Sequence, residues 1–357
     1  IADMPGEFWA YEMLGIYYVE AGETDRAAQI VEQFMEQVRT GPSFLKAQLL
    51  LARIHYRKQN LDKALELADE ILQENPADAA AHRLKGGILL LRGDFQGAIT
   101  EYRAVLRQDP QNIQASLYIA RAHLLDGEMS LAENTYKKIL EMHPNEQRAH
   151  FGLVEVYRRK GETTAAKRQL EMVLEVNPDD TETLMRLGDM ALSMQDTEAA
   201  HEYFNRLSAL HPDSGHYNYY KEGMVKLLEG KDAEAASLFE KSLQVDPDFI
   251  PALNQLINML VKEKRLEKAF QRCRDQIARS PDNPRYYVLL GKLYMMKDDH
   301  DGARKAFEEG LEIDPSSPDV LLSLAKLAKL SGSLDEAIAR YQSLMEKYPK
   351  NLGVALV

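Results

Sequence analysis

The sequence predicts an all-α protein, a solenoid of about ten helix hairpins, and two features that share one period predict it. Proline recurs every 34 residues, with a single interval of 35: Pro76, Pro110, Pro144, Pro178, Pro212, Pro247, Pro281, Pro315 and Pro349. An alanine stands twelve residues before every one of these prolines, from Ala64 to Ala337. A register this strict indicates one structural unit repeated along the chain.

The first half of each unit is predicted to be an amphipathic helix. In one unit Leu184, Leu187, Gly188 and Ala191 fall three or four residues apart, as residues on one helix face do. A glycine 17 residues before the proline is predicted to end this helix in the left-handed conformation. Five units carry it: Gly93, Gly127, Gly161, Gly230 and Gly332.

The second half of each unit is predicted to be a helix that the proline ends, because proline lacks an amide hydrogen and clashes with the preceding turn. The recurring alanine lets the two helices approach closely. An aromatic residue four positions later is predicted to fill the space between neighbouring hairpins. Six units have it: Tyr102, Tyr136, Phe204, Phe239, Phe307 and Tyr341. Cys273 takes this place once and is interpreted as a small buried apolar group.

These spacings, with the pairs Leu187-Gly188 and Leu290-Gly291 and the closing Asn-Pro or Asp-Pro, make the chain resemble the tetratricopeptide repeat family. The resemblance implies a right-handed α-solenoid, or superhelix, whose first helices line a concave inner face. It covers residues 1–357 as a single array. The predicted repeats lie near 8–41, 45–78, 79–112, 113–146, 147–180, 181–214, 216–249, 250–283, 284–317 and 318–351, and residues 352–357 open a partial repeat.

Composition bounds the function. A hydrophobic content of 45% predicts a packed core, and a net charge of −12 argues against nucleic-acid binding. No segment is apolar enough for membrane insertion, and no constellation predicts a catalytic, cofactor or metal site. Because the chain begins at Ile1 and ends in an apolar run, we expect a piece of a longer protein. Localisation, cytoplasmic or periplasmic, therefore stays open.

Candidate partner-binding residues lie in one stripe of each first helix, 30, 27, 23 and 20 residues before the proline. Repeats two to five present cations: Lys46, Arg53, Arg83, Arg121, Arg148 and Arg158, opposed only by Glu155. Repeat seven presents Tyr217 and Tyr220, and repeat eight presents Asn254 and Asn258. In a chain that is acidic overall, a basic lining would attract an acidic extended segment of a partner.

Each of these features has a plainer interpretation. Exposed arginines on helices are commonly only solvated. Tyr217 and Tyr220 fit packing around the one-residue insertion before Pro247 better than binding, and the asparagines are balanced between the two roles.

The leading functional hypothesis is a non-catalytic scaffold or adaptor that binds a protein or peptide through its concave face. The resemblance extends weakly to bacterial repeat proteins of envelope and exopolysaccharide-secretion assemblies. One alternative is a substrate-recognition or regulatory arm of a larger enzyme such as a glycosyltransferase. Another is self-association through the apolar C-terminal residues 352–357.

Overall fold

The computed structural model describes residues 8–347, and side chains as far as Leu344. The described residues form twenty helices and no strand, which confirms the predicted all-α solenoid of helix hairpins. The predicted partial repeat at 352–357, and the self-association assigned to it, lie outside the described residues.

The chain divides into two compact units, residues 1–183 and 184–357. The helices of the first unit are α1 Phe8–Glu20, α2 Thr24–Gln37, α3 Pro42–Arg57, α4 Leu61–Glu74, α5 Ala79–Arg92, α6 Phe95–Gln108, α7 Ile113–Leu125, α8 Met129–Met142, α9 Gln147–Lys160 and α10 Thr163–Val176. Odd-numbered helices are the first helices of hairpins, and even-numbered helices are the second.

The boundary between the units falls within α11, Thr181–Ser193. The helices that follow are α12 Thr197–Leu210, α13 Gly215–Leu228, α14 Asp232–Val245, α15 Ile250–Lys262, α16 Leu266–Arg279, α17 Pro284–Met296, α18 His300–Ile313, α19 Pro318–Leu330 and α20 Leu334–Lys347. From α4 to α18, every second helix of a hairpin ends two residues before its proline.

The turn between the two helices of a hairpin contains a residue in the left-handed conformation. All five predicted glycines adopt it, with φ between 74° and 81°. Four non-glycine residues adopt it at the same register, with φ of 56° to 60°: Gln59, Gln195, Lys264 and Asp298. Because this conformation costs an L-residue roughly 1–2 kcal/mol, the packing of the hairpin, and not the glycine, sets the turn.

Asparagine and aspartate side chains start several of the helices. The Asp94 carboxylate accepts a hydrogen bond from the Gly97 amide at 2.9 Å, and the Asn112 side chain accepts one from the Ala115 amide at 2.9 Å. Such caps bond amides that have no partner within the helix. In these hairpins the capping residue therefore helps to fix where the helix begins.

The aromatic residues of the second helices pack against glycines of first helices, and Tyr102 packs on two sides. Tyr102 stacks on Tyr118 of the next hairpin, with ring centroids 4.9 Å apart, as the sequence predicted. Its other side covers Gly86 of its own hairpin, a contact that the sequence analysis missed. Phe204, Phe239 and Phe307 cover a glycine of their own first helix in the same way, whereas Tyr136 covers Gly152 of the next hairpin.

Cys273 is buried in the core of the second unit, in the place that aromatic residues take elsewhere. Its Sγ lies 3.4 Å from the carbonyl oxygen of Tyr286. Burial raises the pKa of the thiol to about 12, so the sulfur stays protonated at neutral pH.

Candidate functional site

The basic candidates of repeats two to four lie on three successive first helices of the first unit. Lys46 and Arg53 are on α3, Arg83 is on α5 and Arg121 is on α7, and all four side chains are exposed. Arg53, Arg83 and Arg121 line one depression of about 480 Å³. We call this depression the arginine groove; the other residues that line it are Tyr56, Ala80, Leu84, Gly87, Leu90, Leu91, Tyr102, Gln114, Tyr118 and Leu125.

The three arginines of the groove have no ion-pair partner among the described residues. Within the described part of the chain, Arg53, Arg83 and Arg121 make no side-chain hydrogen bond or ion pair. The groove lining contains no carboxylate. The three guanidinium groups therefore keep their donors available for an anionic ligand.

The floor of the arginine groove is apolar and aromatic. Gly87 opens it: a β-carbon at this position would lie 3.7 Å from the Tyr102 hydroxyl and 3.9 Å from the Tyr56 hydroxyl. The Tyr102 ring is buried, and burial raises the pKa of its hydroxyl far above its ordinary value. The Tyr102 hydroxyl is therefore neutral, and the half-buried Tyr56 hydroxyl can donate to and accept from a ligand backbone.

Arg148 and Arg158 lie on α9 and differ from the arginines of the groove. Arg148 forms a two-bond ion pair with Glu146, at 2.7 and 3.2 Å, and donates to Gln114 at 2.6 Å. Arg158 forms a two-bond pair with Glu155, with both distances 2.9 Å. These ion pairs lower the pKa of both carboxyl groups. Glu155 is the carboxylate that lies in the inner stripe of these repeats, but Glu146, which lies outside the stripe, neutralises Arg148.

A second depression, of about 610 Å³, continues the arginine groove towards the first helix. Arg53, Tyr56 and Leu84 line both depressions. The second one also takes in Lys46 and four residues of α1: Glu12, Ile16, Val19 and Glu20. The two depressions together form a longer groove over the first helices of four successive hairpins, α1, α3, α5 and α7, which we call the extended groove.

Tyr217 and Tyr220 are half-buried on α13 and pack around Lys221. The Lys221 ammonium lies 5.1 Å from the centre of the Tyr217 ring and 5.7 Å from that of Tyr220, and it pairs with Asp189. Burial alone would lower the pKa of Lys221, but the ion pair outweighs burial and raises it. Tyr220 also meets the Phe249 ring edge-on, with centroids 5.4 Å apart. Most of the surface of both tyrosines is therefore buried by packing contacts.

Asn254 and Asn258 lie on α15 in the second unit. They line a depression of about 480 Å³ between α15 and α17, together with Lys292 and apolar residues such as Leu289 and Met296. Within the described residues neither carboxamide makes a hydrogen bond. Each therefore has a donor and an acceptor available to a ligand. We call this depression the asparagine groove.

Comparison with known families agrees with the geometry. A tetratricopeptide repeat family model matches residues 89–150, 124–182, 226–293 and 294–356, which is more than half of the chain. Two further models of the same description match residues 12–79 and 182–214. The chain belongs to the tetratricopeptide repeat family.

Solved repeat proteins share this fold. The C-terminal part of a tetratricopeptide repeat protein from Cytophaga hutchinsonii superposes with a TM-score of 0.55 at 17% identity, over 70% of this chain and 99% of that one. A repeat protein from Parabacteroides merdae superposes with a TM-score of 0.51 at 17% identity, over 71% and 98%. At these identities the similarity establishes the fold alone.

Among curated proteins, the human protein O-mannosyl-transferase TMTC3 is 32% identical over 100 residues, which are 28% of this chain and 11% of that protein. The chain spans about a tenth to a third of the length of the curated relatives it matches. Tetratricopeptide repeats bind proteins or peptides, so this array is a protein-interaction scaffold. Among the described helices, none is both long and apolar enough to cross a lipid bilayer.

The contribution of the first tetratricopeptide repeat to the extended groove was not predicted. The inner stripe is defined by distance from the repeat proline, and Arg39 stands where the first repeat would have that proline. Counting from Ala27, the alanine that precedes a repeat proline by twelve residues elsewhere, puts Glu12, Ile16 and Val19 on the inner stripe. The sequence therefore contains the information, but it is visible only when positions are counted from the recurring alanine instead of the proline.

Proposed function

We propose that the chain is a non-catalytic adaptor that holds an extended acidic segment of a partner protein in the arginine groove. One observation carries the proposal: three guanidinium groups from successive first helices, unpaired within the described residues, line one depression whose lining has no carboxylate. An isolated exposed arginine is commonly only solvated, but three in one groove create a local field that selects anions.

The chemistry of the groove defines the segment that fits it. Guanidinium groups bind carboxylates through two parallel hydrogen bonds. The apolar floor, which includes Leu84, Leu90 and Tyr118, favours apolar side chains between the carboxylates. If successive first helices lie about 10 Å apart, three of them span about 20 Å, or roughly six residues of extended chain. A segment that alternates acidic and apolar residues satisfies these conditions.

The other candidate residues have subordinate places in this proposal. Arg148 and Arg158 bind less strongly than the groove arginines, because a partner's carboxylate must displace Glu146 or Glu155. Asn254 and Asn258 bind the backbone of a second extended segment in the asparagine groove. Tyr217 and Tyr220 contribute through packing.

Fluorescence anisotropy of the full chain with two labelled octapeptides tests the proposal. The acidic probe alternates Glu with Leu, and the neutral probe alternates Gln with Leu. We expect the acidic probe to bind at least tenfold more tightly in 50 mM salt, and its advantage to shrink as salt screens the arginines, since carboxylate contacts carry the selectivity. Equal affinity for the two probes would show that the groove selects apolar side chains and not charge.

A second candidate function is the recognition arm of a larger enzyme, in which the groove holds the polypeptide to be modified. The similarity to the protein O-mannosyl-transferases TMTC1 and TMTC3 favours it. The binding chemistry of the groove is the same in both functions. A bacterial secretion or envelope complex stays the predicted setting for the adaptor.

A further inference from the structure

Helix α1 forms the end of the extended groove nearest the N-terminus, and its charged residues in the lining are opposite in sign to those of α3, α5 and α7. Glu12 and Glu20 of α1 are exposed and line the depression that adjoins Arg53. Neither carboxylate makes a hydrogen bond or an ion pair within residues 8–347. Lys46 and Arg57 of α3 line the same depression, and within the described residues neither pairs with Glu12 or Glu20. Carboxylates of α1 that have no partner among the described residues therefore line one end of the extended groove, and cations of α3, α5 and α7 line the rest of it.

The α1 end also presents exposed apolar surface. Ile16 lies one helical turn from both Glu12 and Glu20, so all three side chains share one line along α1. Trp9 and Tyr17 are 59% and 63% exposed, and each precedes one of these glutamates by three residues. Such a surface suits the long side chains of lysine and arginine, whose methylene stems pack on apolar residues and whose charges meet carboxylates or aromatic faces.

We infer that the extended groove recognises a partner segment with basic residues at one end and acidic residues at the other, and binds it in one chain direction. Basic residues of the partner lie over Glu12 and Glu20, and its acidic residues lie over Arg53, Arg83 and Arg121. The inference rests on the proposed function, because the acidic half of the segment is the one assigned to the arginine groove. It adds the partner's charge pattern and its orientation.

The physical reason for a single direction is that reversal sets like charges against each other at both ends. A reversed segment would place carboxylates on Glu12 and Glu20 and cations on Arg83 and Arg121. Like-charge contacts suppress incorrect docking even where each pair adds little net affinity. The groove thus distinguishes two segments of identical composition and opposite order.

Two dodecapeptides test this inference. Each extends the acidic probe by Arg-Leu-Arg-Leu, at the N-terminus in one peptide and at the C-terminus in the other. We expect one peptide to bind the full chain at least tenfold more tightly than the other. In the Glu12→Gln/Glu20→Gln variant we expect this difference to disappear, while the acidic probe binds as tightly as before or slightly more tightly.

The matched control is Glu141→Gln/Glu175→Gln, which makes the same change in net charge on the second helices α8 and α10. It should leave the difference between the dodecapeptides intact. Equal binding of the two dodecapeptides, or a difference that persists in Glu12→Gln/Glu20→Gln, would overturn the inference and leave the proposed function standing. Failure of the acidic probe to bind at all would overturn both.

Discussion

Replacement of Gly291 by alanine is expected to destabilise the hairpin of α17 and α18 by about 2 kcal/mol. A β-carbon at this position would lie 2.2 Å from the Phe307 ring, which is fully buried against it. The ring cannot retreat easily, because it packs in one cluster with Val320 and Leu324 of α19. The overpacking therefore outweighs the gain in helix propensity, which is about 1 kcal/mol.

Amide hydrogen exchange is the suitable measurement, because a repeat array loses stability locally. Exchange in α17 and α18 should accelerate about thirtyfold. Gly87→Ala is the matched control, since its β-carbon meets no atom closer than 3.7 Å, and it should leave exchange in α5 unchanged or slower. In Gly291→Ala/Phe307→Leu, the smaller side chain should relieve the overlap and make the two losses less than additive. If Gly291→Ala and Gly87→Ala changed amide exchange in their own hairpins equally, the packing of the Phe307 ring would not require a glycine at position 291.

Reversal of the three groove charges, Arg53→Glu/Arg83→Glu/Arg121→Glu, is expected to weaken binding of the acidic probe at least a hundredfold. Each substitution replaces an attraction for a probe carboxylate with a repulsion. A loss of about 1 kcal/mol of binding free energy at each of the three sites corresponds to a hundredfold weaker affinity. All three residues are exposed and make no side-chain hydrogen bond or ion pair in the described part of the chain, so the variant should fold normally. Anisotropy titrations of the full chain measure the loss, and circular dichroism verifies folding.

Two control variants separate the groove from the field of the whole protein. Arg103→Glu/Arg107→Glu/Arg168→Glu makes the same charge change on the second helices α6 and α10 and should weaken binding no more than about threefold. Arg148→Glu/Arg158→Glu removes arginines that already pair with glutamates and should have an intermediate effect. If the first control weakened binding as much as the groove variant, overall charge would explain the result without a specific site.

Much of the fold could be predicted because the same residues recur at the same structural positions in every repeat. Proline and alanine spacing located the helix ends, and the inner stripe placed Arg53, Arg83 and Arg121 on one side of their helices. The left-handed turns at Gln59 and Lys264 carry no glycine signal, yet the register predicts their position. The conformational preference of the residue at the turn is weaker than the packing of the hairpin. The 34-residue period therefore predicts the position of the turn better than the residue type does.

The state of each arginine was harder to predict. Arg148 and Lys46 occupy equivalent positions, 30 residues before the repeat proline, yet Arg148 is neutralised by Glu146 whereas Lys46 has no ion-pair partner within the described residues. The difference depends on a glutamate at the start of α9 that lies outside the inner stripe. Similarly, the contact of Tyr102 with Gly86 depends on a missing β-carbon, which hydrophobic periodicity does not register. Ion pairing and close side-chain packing depend on neighbouring residues that lie outside the inner stripe of a single helix.

The most direct test of the central claim, that the arginine groove holds a carboxylate-bearing segment, is a double-mutant cycle between Arg83→Gln and each glutamate of the acidic probe changed in turn to glutamine. Anisotropy gives the four affinities of every cycle. The account predicts a coupling free energy of about 1 kcal/mol or more in at least one cycle, because the guanidinium and a carboxylate are in contact. Additivity within about 0.3 kcal/mol in all four cycles would contradict the claim, since it would mean that no probe carboxylate meets Arg83.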